Sequence, residues 1–489
     1  MRTRIGLYRT CLAIFCAHAA FALAREAPPT VERYTLESPP KFDVVTSDGR
    51  RLLLNVGSGL SLKSKRGDTL EFYAVTDRGP NADGPGSVVR PAGAGSKVFL
   101  LPSFQPTLGV IRIAKGHARL VSARPLVNID GTAVTGLPSN QGSGGMLAEV
   151  PLDAHYRFDA AENRFDPQGL DVEAVTRPDK DGMLWLSDEY GPYLLRVDPR
   201  TGKIVRKVAP GFRQNDLPAV FGERRTNRGL EGLTIDPETG LLYASLQSPI
   251  DPLGADGKSL KARRKDGSTV DIKHAAKFLR WLEFDPATAV RRTFAYPIDG
   301  SLYEKGRTGA AKIGDIVALG GGKFLAIEQG ARAGDGVIQN WLMRITIEPG
   351  TTDISNFDHA LEVSSIAGDP VAGADYNGVI ALRKERILDL NALGWVQGKA
   401  EGLAVVDDHT IAIINDNDFG LSSELRDASD QTLRGSIEDC TLDASTARLS
   451  GCTSGEAHHG ELVIADRKAS VIDLWLIRFD TPLDRASSF

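Results

Sequence analysis

Acidic side chains recur at two fixed places in a repeated stretch of this chain. Aligned on the start of one strand-like run, Glu173, Glu231, Asp315 and Glu401 coincide, with Ser58 in a fifth copy. Aligned on the end of the next run, Asp77, Asp188, Gln247, Glu328 and Asp416 coincide. A repeat that returns a carboxylate to one spot gathers those carboxylates around an axis, where they repel unless a cation or basic partner neutralises them. Carboxylate oxygens suit hard cations such as Ca²⁺ or Mg²⁺. Asp77, Glu173, Glu231, Asp315, Glu328, Glu401 and Asp416 are therefore the candidate metal ligands. Asp188 and Glu189, adjacent at one strand end, are candidate general bases. Arg78 and Arg228 carry the forked donors that hold anionic oxygens. Taken singly, each acid reads as a strand-end cap or as a salt-bridge partner of Arg78, Arg228, Arg332 or Lys312. The coincidence of four is what points to a pocket.

The elements that must position these residues are short strands. Each copy continues into a third run of similar text: GVIRI at Gly109, YLLRVDP at Tyr193, RWLEFDP at Arg280, LMRITIEP at Leu342 and LWLIRFD at Leu474. These runs are β-branched or aromatic and bounded by Gly, Pro or Asp turns such as DPETG after Ile235. Three strands and a variable fourth, recurring, predict an all-β fold, a β-propeller. Five units are legible. A sixth, completed by Val31–Leu54 with C-terminal strands, would close a ring of six blades. Insertions over Asn128–Asp166, Asp251–Lys273 and Gly420–Gly460 account for the uneven spacing of the copies. In a propeller the first strand of each blade lines the central channel, so equivalent acids ring one mouth.

Composition sets the remaining bounds. The 489 residues are 42% hydrophobic and 25% charged, ordinary for a globular protein with a sizeable core. Residues 1–24 read as a cleavable export signal: Arg2, Arg4 and Arg9, then an apolar run, then Ala22-Leu23-Ala24. That run is short for a membrane span, so the mature protein is expected in the periplasm or outside the cell, with residues 25–489 as one domain and no stable membrane span. Cleavage removes three arginines and takes the net charge from −5 to −8, against a nucleic-acid partner. Of four cysteines, Cys440 and Cys452 remain, and an oxidising compartment lets them pair. No G-x-S-x-G elbow, P-loop or H-E-x-x-H occurs.

The motifs together resemble the phytase-like domain family, described as having esterase-like activity. They are D-R-G-P from Asp77, D-x-E-A-V from Asp171, S-D-E-Y-G-P from Ser187, N-R-G-L-E-G-L from Asn227, Leu246–Pro249 and N-D-N-D-F-G from Asn415. One departure is Glu328-Gln329, where the family reads Glu-Arg; Arg332 is the candidate substitute. The resemblance implies an exported propeller acting on phosphoesters or other esters, hence a small anionic substrate. The expectation is a metal-dependent hydrolase: Glu173, Glu231, Glu401 and Asp416 hold Ca²⁺, Glu189 or Asp188 accepts a proton from water, and Arg78 with Arg228 holds the anion. A non-catalytic calcium- or ligand-binding propeller and a lactonase-like propeller are the alternatives.

Overall fold

A computed structural model describes residues 28–86, 95–139, 149–157, 165–433, 435, 437, 440–443, 448–450, 461–467 and 470–486. The export signal and Cys452, expected to pair with the buried Cys440, lie outside the described residues.

The fold is all-β. Four-residue to nine-residue strands build five antiparallel sheets of four. From the inside outward, the first sheet runs Gly59–Arg66, Thr69–Val75, Thr107–Ala114 and His117–Pro125. The second runs Val172–Val175, Leu184–Asp188, Tyr193–Asp198 and Lys203–Val208. The third runs Leu230–Ile235, Leu242–Leu246, Phe278–Phe284 and Arg291–Pro297. The fourth runs Lys312–Gly320, Lys323–Ala331, Ile338–Thr346 and Arg383–Asp389. The fifth runs Gly402–Asp407, Thr410–Ile414, Asp473–Arg478 and, outermost, Thr30–Glu37. Each innermost strand touches the next, and Gly402–Asp407 returns to Gly59–Arg66, so the five close a circle.

A sixth sheet of this kind is not found among the described residues. The expected pairing of the N-terminal stretch with a C-terminal strand does form, with Thr30 opposite Arg478 and Thr35 opposite Asp473. It completes the fifth sheet instead of adding a sixth. A two-residue parallel contact, Leu36 with Ala118 and Glu37 with Arg119, then joins the fifth sheet to the first.

Five apolar clusters lie between neighbouring sheets, one per junction. Residues alternate along each strand, so one set faces each neighbour. The Trp281–Phe324 contact between the third and fourth sheets, at 5.3 Å between ring centroids, is typical. Toward the axis the space runs out. A Cβ on Gly59 would stand 2.6 Å from Ala174 Cα, and one on Gly232 would stand 2.7 Å from Gly314 O. Small residues at Gly59, Ala174, Gly232 and Gly402 are what let the inner strands converge.

The Asp251–Lys273 insertion carries a small hairpin, Lys261–Arg263 with Thr269–Asp271. Helix Ala360–Ala367 is docked by a buried pair, Arg280 Nε and Nη2 each donating to Glu362 at 2.8 Å. Just before that helix, His359 Nδ1 lies 3.0 Å from Glu223, and this hydrogen bond raises the imidazole pKa above 6.5. A raised histidine contributes its stability fully below the unfolded value and loses it as pH rises through the folded one. Both groups are about one-third exposed, so the contact is worth about 0.5 kcal/mol or less. Glu223→Gln is expected to cost that much at pH 5.5 and nothing at pH 8.5 in urea denaturation; equal losses at both pH values would refute the charge assignment. No helix of the described residues is long and apolar enough to cross a membrane.

Candidate functional site

Where the innermost strands begin, the circle opens into a cavity of about 360 Å³ lined mostly by charged side chains. β-Bulges steer them. The pairing of the first two strands slips between Val172 and Val175 in the second sheet and between Leu230 and Leu233 in the third. Glu173 and Glu231 stand at these slips, where an extra residue re-aims a side chain. With Glu401 they form a triad whose carboxylate oxygens lie within 4.8 Å of one another. Asp171, Glu173 and Glu189 form a second such triad, sharing Glu173. Asp77 and Asp416 also line the cavity.

These acids are buried and crowd one another. Burial pushes the Glu173 pKa well up, with Glu231, Asp171, Glu189 and Glu401 adding to it. Glu231 rises through burial and then through Glu189 and Glu401. Burial drives Glu401 up to about 8, although Lys399 opposes the shift. Asp77 rises through burial, Asp416 and Asp171. Among the described residues, nothing donates a hydrogen bond to Glu189 Oε1 or Glu231 Oε2, both of which are enclosed. Buried oxygens without a donor cost free energy, so such a cluster calls for protons or cations.

The basic residues divide into committed and open ones. Arg78 Nη1 donates to Glu149 at 2.6 Å and stands 3.5 Å from Asp171. Lys399 Nζ donates to Asp416 at 3.0 Å and to Asp418 at 2.7 Å. Burial draws the Lys399 pKa down, but Asp416, Asp418 and Glu401 together hold it up. Lys312 is different: among the described residues it is the cavity cation with no carboxylate within 4.0 Å. Burial, then Arg228 and Lys399, lower its pKa to about 8.

Four of the residues expected here, and Arg332, lie elsewhere. Asp315 occupies the position where the other inner strands have Gly59, Ala174, Gly232 or Gly402. Its carboxylate therefore points to the axis and accepts amide N–H bonds from Leu60, Leu233, Ile316 and Leu403. It ties four inner strands together beneath the cavity. Glu328 is three residues short of its strand's end, so the ladder keeps it on the sheet face, where Tyr296, Tyr303 and Lys384 donate to it. Asp188 is the last residue of its strand and turns inward to accept N–H from Asp171 and Gly191. Burial raises its pKa to about 7. Arg228 follows a tight turn with Asn227 at φ 53°; Asn227 lines the cavity and Arg228 does not. Arg332 is exposed and paired with Asp335.

Asp171, Lys312 and Lys399 line the cavity without having been assigned to it by the repeat, and Gln247 does so at the strand end where the repeat places it. Asp171 with Glu173, and Lys399 with Glu401, are two residues apart in extended chain and so share a face. That spacing was the available signal.

A family model described as "Phytase-like: Esterase-like activity of phytase" matches residues 56–419. The chain belongs to this phytase-like family. The match spans all five inner strands and every cavity residue of the two triads. The phytase-like chain is also similar to an "Uncharacterized secreted protein" of Arthroderma benhamiae (strain ATCC MYA-4681 / CBS 112371), 27% identical over 302 residues. That match covers 54% of this chain and 55% of the relative, so the chain spans about half the length of the curated relative it matches. Among solved structures, the PQQ-bound aldose sugar dehydrogenase of Streptomyces coelicolor aligns at 12% identity and a TM-score of 0.29, covering 92% of this chain and 100% of that one. The catalytic domain of a GH62 α-L-arabinofuranosidase from Coprinopsis cinerea aligns at 10% and 0.33, covering 94% and 98%. At these TM-scores neither bears on the fold or the chemistry of the phytase-like domain.

Proposed function

We propose that this protein is an exported hydrolase of small anionic esters, phosphoesters foremost, working with a divalent cation on a five-bladed β-propeller. The observation that carries the reading is a buried carboxylate cluster with oxygens lacking donors, set beside an ammonium group that has no carboxylate partner. The cluster fits Ca²⁺ or Mg²⁺, because every donor is a hard oxygen. Glu173, Glu231 and Glu401 would hold the cation, with Asp416 at the rim. When bound, a divalent cation polarises an ester oxygen and makes water more acidic.

The chain's own residues supply the rest. Lys312 pairs with the anionic oxygens of the substrate, a role that its lack of a carboxylate partner leaves open. Arg78, fixed by Glu149, adds positive potential at the Asp171 side. Glu189 Oε1, free of hydrogen bonds, is placed to accept a proton from attacking water. Asp188 acts on the site through backbone, by fixing the amide of Asp171. Export is supported by the leader-like residues 1–24 and by the description of the relative as secreted.

The test is turnover of aryl phosphates, aryl carboxylic esters and lactones, with Ca²⁺, with Mg²⁺ and with chelator. Chelator-sensitive release from an anionic ester is expected. Lys312→Met should raise KM for that ester about tenfold or more, the worth of a charged hydrogen bond, with a smaller change in kcat. Lactone turnover alone would favour the lactonase alternative. Cation binding with no turnover of any class would leave a binding protein.

A further inference from the structure

We infer that the cavity binds two divalent cations, with Glu173 as the shared ligand, Asp171 and Glu189 completing one site and Glu231 and Glu401 the other. This rests on the cation-binding reading above and extends it in number and arrangement. Three observations carry it. First, the two triads are separate sets of oxygens, each within 4.8 Å, that meet only at Glu173. Such sharing is the arrangement by which two-metal sites hold their ions close together, about 4 Å apart.

Second, each triad contains one enclosed carboxylate oxygen without a hydrogen bond. Glu189 Oε1 belongs to the first and Glu231 Oε2 to the second, and the two residues are 1% and 3% exposed; with both cations bound Glu189 is a ligand, and its role as base holds for the single-cation form. One cation at either triad alone would leave the other oxygen without a partner. Third, the charges agree. The cavity is lined by nine acids and five bases. With Glu149, the partner of Arg78, counted as well, five negative charges remain uncompensated, more than one divalent cation neutralises. Arg78 does not substitute for the first cation, because its short ion pair is with Glu149, outside the lining.

The rival account is that protons, shared between neighbouring carboxyls such as Glu189 and Glu231, satisfy these oxygens. Calorimetric titration of chelator-treated protein with Ca²⁺ at pH 7.5 separates the two. Two equivalents are expected for the wild type. Glu189→Gln and Glu401→Gln should each keep one equivalent, and Glu173→Gln should weaken both by at least tenfold. Circular dichroism melting of each variant confirms that the fold is kept; Asp171→Asn provides a second route to the first site. One equivalent in the wild type, or two in Glu189→Gln and Asp171→Asn alike, overturns the two-cation arrangement but leaves a single-cation hydrolase standing. No Ca²⁺ or Mg²⁺ binding at all overturns both.

Discussion

Asp315→Ala is expected to destabilise the protein by about 4 kcal/mol, since each buried amide left without its acceptor costs about 1–3 kcal/mol. Its Oδ1 takes the amides of Leu233 and Ile316, and its Oδ2 those of Leu60 and Leu403. Three of these contacts are 3.2 to 3.4 Å long, which holds the expected loss at the lower end of the combined cost. Asp315→Asn should fall between, because an amide side chain can serve one pair of N–H groups and presents its own donors to the other. Folded Asp315→Ala should still bind Ca²⁺ within about threefold of the wild type, about 0.7 kcal/mol at most. Urea denaturation and calorimetry measure the two quantities separately. A stable variant with lost cation affinity would place Asp315 among the ligands and undo the distinction drawn between it and Glu231.

Glu231→Gln is expected to do the opposite. It keeps the shape of the side chain and removes one charge from a crowd of like charges, so the cation-free variant should melt at or above the cation-free wild type. Binding to the native state adds RT ln(1 + [L]/Kd), roughly 2.7 kcal/mol at a hundredfold excess. Chelator should therefore lower the wild-type melting temperature by several degrees and barely move that of Glu231→Gln. Hydrolysis by the variant should fall by about 10²-fold or more if a ligand of the reacting cation is lost. Equal chelator shifts in both proteins would mean that the cluster is neutralised from within, by its own lysines and protons.

The five-fold repeat was legible because turn residues and alternating apolar runs obey local rules, and the structure holds those five units as five sheets. The pairing of the N-terminal stretch with a C-terminal strand was expected, but the count of six gave it a separate blade, because no local pattern encodes which sheet Thr30–Glu37 joins. Glu173, Glu231 and Glu401 were found because the repeat aligns their carboxylates, and in the structure each precedes a small residue that faces the axis. Asp315 follows one, Gly314, so aligning acid on acid moved it by one residue, and in extended chain one residue reverses the face. Glu328 shows the same limit: its role depends on how far its strand continues, which propensity places only within a few residues. Lys312 was read only as a salt-bridge partner because a lone lysine at the start of a strand has no signature. Its meaning comes from the carboxylates that other sheets bring near it and from the ion pair it does not make.

The seam between the first and last strands governs the order of assembly. Thr35 and Asp473, joined there by a 3.1 Å hydrogen bond, are 438 residues apart. The second, third and fourth sheets are each contiguous in sequence and can form while the chain is still being made. Closing the circle must wait until Arg478 has emerged, and contacts of such long range are slow to form. Until then the partial protein is an open arc with an apolar face at each end. Glu401 and Asp416 come from the last sheet and Glu231 from the third, so the Glu173, Glu231 and Glu401 triad is complete only once the circle closes. An unfinished or unlatched chain has the Asp171, Glu173 and Glu189 oxygens but not the full cluster, and the proposed cation centre is completed only at the final fastening step.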